Sequence, residues 1–68
     1  MSVYRVVDVI GTSETSWEAA AAEAIATASG SLRDIRIAEV AKQDIVVSEG
    51  GSLLYRTRLQ LSFKYDTD

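Results

Sequence analysis

Residues 53–65, LLYRTRLQLSFKY, decide the fold. Tyr55, Thr57, Leu59, Leu61, Phe63 and Tyr65 alternate with Arg56, Arg58, Gln60, Ser62 and Lys64. In extended chain, successive side chains point to opposite faces, so this period of two predicts a strand with one buried face and one polar face. Immediately upstream, SEGGS at 48–52 predicts a hairpin loop. Before it, DIRIAEVAKQDIVV at 34–47 predicts a long, bent strand that returns along the closing one.

Further back lies SWEAAAAEAIATASG, residues 16–30, which predicts a helix over 16–29 with Gly30 as its stop. Thr15-Ser16-Trp17-Glu18 fits a capping box, in which Thr15 bonds the amide of Glu18 and Glu18 reaches back. Glu14 and Glu18 also stand where the helix dipole favours negative charge. The first element, VYRVVDVI at 3–10, is rich in β-branched residues and predicts a strand that Gly11 breaks. The order is therefore β-α-β-β, an α+β fold in one domain spanning 1–68. The second and third strands form a hairpin and the first pairs with the other edge of the third. The result is a three-stranded antiparallel sheet.

Between Trp17 and Gly30 the helix carries one large aliphatic side chain, Ile25. At about 100° per residue, Trp17, Ala21, Ala24, Ile25 and Ala28 share one nearly flat side. Such a side suits close approach to a twisted sheet that curls around the helix and supplies the bulk itself. Trp17, opening the helix, is expected to pack at its end. Apolar residues remain over. Ala19, Ala22 and Ala26 lie opposite the packed side of the helix. On the first strand Val3, Val7 and Val9 occupy one face while Val6 and Ile10 occupy the other. On the second strand Ile35, Ile37, Ile45 and Val47 compete with Ala38, Val40 and Val46. One helix covers one face of a sheet, so the remainder predicts burial against further copies of the chain.

Composition removes several function classes. With no cysteine, no disulfide, thiolate ligand or thiol nucleophile is available, and with no histidine the commonest general base is missing. The chain has no proline either, which an N-terminal-proline tautomerase would need. Ser and Thr are plentiful without an evident base, so catalysis is not expected. Apolar residues at 47% exceed what a disordered chain carries. A formal charge of −3 does not suggest a nucleic-acid partner, and no apolar run is long enough to span a membrane. The start, MSVYRVVDVIG, lacks the basic residues and cleavage site of a signal peptide, so a cytoplasmic location is expected.

SVYRVVDVIGTS, the Ala-rich helix, IAEV, the Gly-containing hairpin loop and LQLSFKY together resemble the dodecin family over nearly the whole chain. The resemblance implies a sheet that wraps its helix and a hollow homododecamer, a non-catalytic shell that stores a small ligand or metal ion. In flavin-sequestering dodecins the second strand carries a Trp that stacks on the isoalloxazine, and the third a Gln that contacts the flavin. Ile37 stands at the first position and Arg56 at the second, so the resemblance predicts weak flavin binding. MSVY, GTSxTSWExAAAEA, DIR, QD and YR resemble the branch called calcium dodecins, which implies calcium as the ligand.

Calcium takes six to eight oxygen ligands, and no D-x-D-x-D-G loop is present to gather them. A site would therefore draw on separated segments or several subunits. The candidate oxygens are Asp8, Glu14, Glu18, Glu39 and Asp44, with Glu23 and Asp34 further acidic residues. The bland alternative is that each is a solvated charge or an ion-pair partner of Arg5, Arg33, Arg36 or Lys42. Arg56, Arg58 and Lys64 are expected to pair with acidic groups such as Glu39 or Asp44. Two other functions stay open at this point: flavin sequestration, and a structural module with no tight ligand.

Overall fold

The computed structural model describes residues 2–64. Tyr65 and the Asp66-Thr67-Asp68 tail lie outside the described residues. The elements run β1 (Tyr4–Ser13), α1 (Trp17–Ser29), β2 (Ile35–Val47) and β3 (Leu53–Lys64). The sheet order is β1-β3-β2 and both pairings are antiparallel, as the alternation of β3 predicts.

On β3, Thr57, Leu59, Leu61 and Phe63 are buried while Arg58 and Lys64 are exposed. Leu59 and Leu61 pack on Ala24 and Ala28, flanked by Val9, Ala21, Ile25, Leu32, Ile35 and Ala38. The buried stripe of α1 is Ala20, Ala24 and Ala28, with Ala20 wholly inaccessible. Ala20 is absent from the side drawn by the helical wheel. The helix is rotated so that this stripe of methyls, and not the Trp17–Ala21–Ile25 edge, points straight down.

Gly11 explains the rotation. It does not break β1, which continues to Ser13 and pairs Gly11 with Thr57. A Cβ there would lie 2.0 Å from the Ala20 carbonyl oxygen and 2.8 Å from the Ala24 Cβ. The missing side chain lets the helix backbone rest directly on the strand. A smooth helix is thus matched by a bare spot on the sheet.

Two terminal details differ from expectation. Ser16, not Thr15, is the N-cap: its Oγ accepts a 3.0 Å bond from the Ala19 amide, so the Thr15–Glu18 capping box does not form. Gly30 does close the helix, but in right-handed conformation, and the end is tightened by Gly30 and Ser31 amides donating to Thr27 and Ala28 carbonyls. The left-handed residue is Asp34, with φ 58°, where the chain turns into β2.

β2 bends through two irregularities, between Ile35 and Ile37 and between Val40 and Lys42. Each inserts one extra residue and flips the facing of everything beyond it. Ile35 and Ala38 therefore meet the core, while Ile37, 60% exposed, sits on the face without the helix. The molecule extends 52 Å, whereas a helix of 13 residues is about 20 Å long, so the β2–β3 hairpin reaches well past α1. Ile45, Val46, Val47 and Leu53 on that arm are exposed, as are Tyr4, Val6 and Ile10 of β1. Val3, expected beside Val7 and Val9, precedes the strand and is exposed too.

Candidate functional site

The register assembles the helix-free face of the sheet in rows. Residues opposite one another across a ladder share a face. Ser62 of β3 stands between Val6 and Ile37, and Gln60 between Asp8 and Glu39. Arg58 follows between Ile10 and Lys42, then Arg56 between Thr12 and Asp44. The apolar pair Val6 and Ile37 flanks one end of this face, and charged residues, with Ile10 among them, occupy the other.

The Arg56–Asp44 pair is the best-ordered polar contact there. Nε of Arg56 donates to Oδ1 of Asp44 at 2.7 Å and Nη2 donates to Oδ2 at 2.7 Å, a two-pronged fit of guanidinium to carboxylate. The hydrogen bond from Arg56 holds the Asp44 carboxyl below the usual carboxylate range, against a smaller desolvation effect, with further help from the charges of Arg56 and Lys42. Asp44 in turn pushes Arg56 up from its ordinary value. This bears out the expected pairing of Arg56 with Asp44. Arg58 meets a different partner, Asp8, with Nε to Oδ1 at 3.7 Å, an ion pair beyond hydrogen-bond length.

A clasp ties this charged end to the helix. The Trp17 indole N–H donates to the Asp44 carbonyl at 3.1 Å, and the ring meets Tyr55 edge-on, centroids 5.3 Å apart. From below, the fully buried Thr57 donates its hydroxyl to the Trp17 carbonyl at 2.9 Å. Trp17 does pack at the helix end, as its position suggests. Its bond to the Asp44 backbone was not foreseen, and the only signal was a Trp directly after a capping serine.

The acidic candidates are spread out. Asp8 and Glu39 flank Gln60 on the helix-free face, and Asp44 is taken up by Arg56. Glu14 lies in the β1–α1 turn and Glu18 in the first helical turn, both exposed. Glu23 accepts from Thr27 Oγ1 at 3.4 Å. Among the described residues no three Asp, Glu, His or Cys side chains come together as a metal cluster. Ile37 and Arg56 are also apart: opposite Ser62 and Asp44 respectively, they are separated by six residues of β3, about 20 Å. Within one protomer they do not face a common ligand. No helix among the described residues is long and apolar enough to cross a membrane.

Fold and face together define a small module of one helix wrapped by a three-stranded sheet, with uncovered apolar surface at one end of its open face and ordered charge at the other. The dodecin family model matches residues 3–66, and the chain belongs to the dodecin family. It is 56% identical over 64 residues to calcium dodecin of Mycobacterium tuberculosis, covering 94% of this chain and 90% of that protein. A solved structure of calcium dodecin from that organism, described as a calcium-chelating antigen with a novel calcium-binding site, superposes with a TM-score of 0.88 at 52% identity. That superposition covers 98% of this chain and 96% of the other. A Thermus thermophilus protein reaches a TM-score of 0.91 at 32% identity over all of both chains. Dodecin from Streptomyces coelicolor reaches 0.90 at 28% identity, over 98% and 96%.

Proposed function

We propose that this chain is a non-catalytic, cytoplasmic storage protein whose copies close into a hollow dodecamer that binds calcium. The observation that carries the reading is the likeness, over nearly the full length of both chains, to a protein named for calcium. The surface supports assembly. At 5045 Å² it exceeds by roughly 800 Å² the ~4200 Å² that size scaling gives for a folded monomer of this mass. The excess is apolar in part, being the hairpin arm and the Tyr4, Val6, Ile10 and Ile37 side chains.

The dispersal of carboxylates gives the site its form. Among the described residues no three carboxylates gather, so on this reading the calcium ligands come from more than one copy. Asp8, Glu14, Glu18, Glu39 and Asp44 are the candidates; Asp44 ranks last because both its oxygens serve Arg56. Flavin binds weakly on this reading, since Ile37 has no π face and Arg56 is engaged by Asp44.

Calorimetric titration of the calcium-stripped protein with CaCl₂ tests the proposal, alongside metal analysis of protein as purified. Saturable calcium binding that weakens in Asp8→Asn or Glu39→Gln supports it. An absence of binding leaves a shell without a tight cation, and tight riboflavin binding by the unaltered protein moves the function to flavin storage.

A further inference from the structure

The charged end of the open face encloses a pocket of about 100 Å³ lined by Ile10, Lys42, Asp44, Arg56 and Arg58. Three cations thus face one carboxylate, and that carboxylate is already committed. Both Asp44 oxygens accept from Arg56 at 2.7 Å. Arg58 has only the 3.7 Å approach of Asp8, and Lys42 has no carboxylate within ion-pair distance among the described residues. Lys42 and Arg58 are nonetheless directly opposite one another across the β2–β3 ladder. Like charges in that position repel. An anion between them would turn the repulsion into two charge-assisted hydrogen bonds.

We propose that Lys42 and Arg58, over the floor made by Ile10, form a site for a tetrahedral oxyanion, either inorganic phosphate or the phosphate group of a larger ligand. The size of the pocket points this way. About 100 Å³ suits a compact anion and falls short of the ~300 Å³ where organic-ligand pockets begin. Asp44 sets the affinity: by holding Arg56 and presenting a negative charge on the wall, it keeps the site weak enough to release its anion. The site shares Asp44, and through Arg58 also Asp8, with the calcium candidates, so its titration is made without calcium.

The test is titration with inorganic phosphate, and in parallel with glycerol 3-phosphate, in calcium-free buffer at fixed ionic strength in chloride. Binding is followed by calorimetry and by ³¹P line broadening. Lys42→Gln and Arg58→Gln should each weaken phosphate binding about tenfold. Asp44→Asn should strengthen it on the order of fivefold, because a negative charge leaves the wall while the backbone carbonyl that accepts from Trp17 is kept. Lys64→Gln, about 20 Å along β3 from Arg58, should leave it unchanged. Tighter binding of the ester identifies a phosphorylated ligand as the source, and tighter binding of the free ion identifies phosphate itself; both support the site. The proposal is overturned if phosphate binds no better than chloride, or if Asp44→Asn, folded by circular dichroism, fails to gain affinity. Dissociation of the oligomer in Lys42→Gln or Arg58→Gln would also overturn it, since those cations would then be serving a second copy's carboxylates.

Discussion

Replacing Gly11 by alanine puts a methyl group in place of a hydrogen where the structure has no space. The new Cβ would stand 2.0 Å from the Ala20 carbonyl oxygen, whereas ordinary contact begins at 3.4 Å. The helix must therefore retreat by about 1.4 Å, or β1 must bend away from Thr57. Retreat opens a gap along Ala20, Ala24 and Ala28 above Leu59 and Leu61, and a gap of 0.5–1 Å already forfeits about a quarter to a half of a dispersion contact. Overpacking costs about 1–3 kcal/mol where side chains can shift. Here the obstruction is backbone, so about 3 kcal/mol is the expected loss. A domain of this size has a stability of roughly 3–10 kcal/mol, so much of it disappears. The melting temperature should fall by on the order of 12–24 °C. Circular dichroism at fixed protein concentration measures it, with Gly50→Ala as control, because a Cβ at Gly50 meets nothing within 4 Å. If Gly11→Ala melts with the wild type, the direct seating of helix on strand is wrong.

Thr57→Val keeps the buried shape but removes the hydroxyl that donates to the Trp17 carbonyl, and should cost about 1 kcal/mol in urea unfolding. A normal unfolding midpoint would show that the clasp is incidental. Because Asp44 has a lowered folded pKa, its pairing stabilises the protein above the ordinary value of 3.8 and the benefit drains away as pH falls through the lowered value. Stability of Asp44→Asn should accordingly change less than wild type over that acid range, and parallel acid limbs would count against the pair. Ile37→Trp with Arg56→Gln should raise riboflavin affinity, read by fluorescence quenching, more than either change alone. Since these positions are about 20 Å apart in one protomer, cooperation between them requires two copies at one ligand, and strict additivity would contradict that.

The element order and the sheet pairing were legible because β3 alternates without interruption and SEGGS sets the hairpin. Val47 opposite Leu53 places Asp44 opposite Arg56 by counting back along both strands, so that ion pair was readable too. The facing of Ile37 and Glu39 was not. It depends on the irregularity at Ala41, as the facing of Ile35 depends on a second one at Arg36, and neither residue type announces a bulge. The cap was misplaced by one residue because GTSETS offers a choice of hydroxyls, and the winner is decided by where the helix docks. Gly11 was misread as punctuation. The countersign was present in Ala20, Ala24 and Ala28, a stripe of methyls at four-residue spacing that a bare glycine complements. The acidic candidates stayed undecided because nothing among the described residues gathers three of them.

Native mass spectrometry of the calcium-loaded and calcium-stripped protein tests the proposed calcium-holding assembly most directly. A dodecamer at micromolar concentration, with a reproducible mass increment of bound calcium that EGTA removes, is the predicted result. A monomer or dimer, or a dodecamer whose mass is the same with and without calcium, would contradict it.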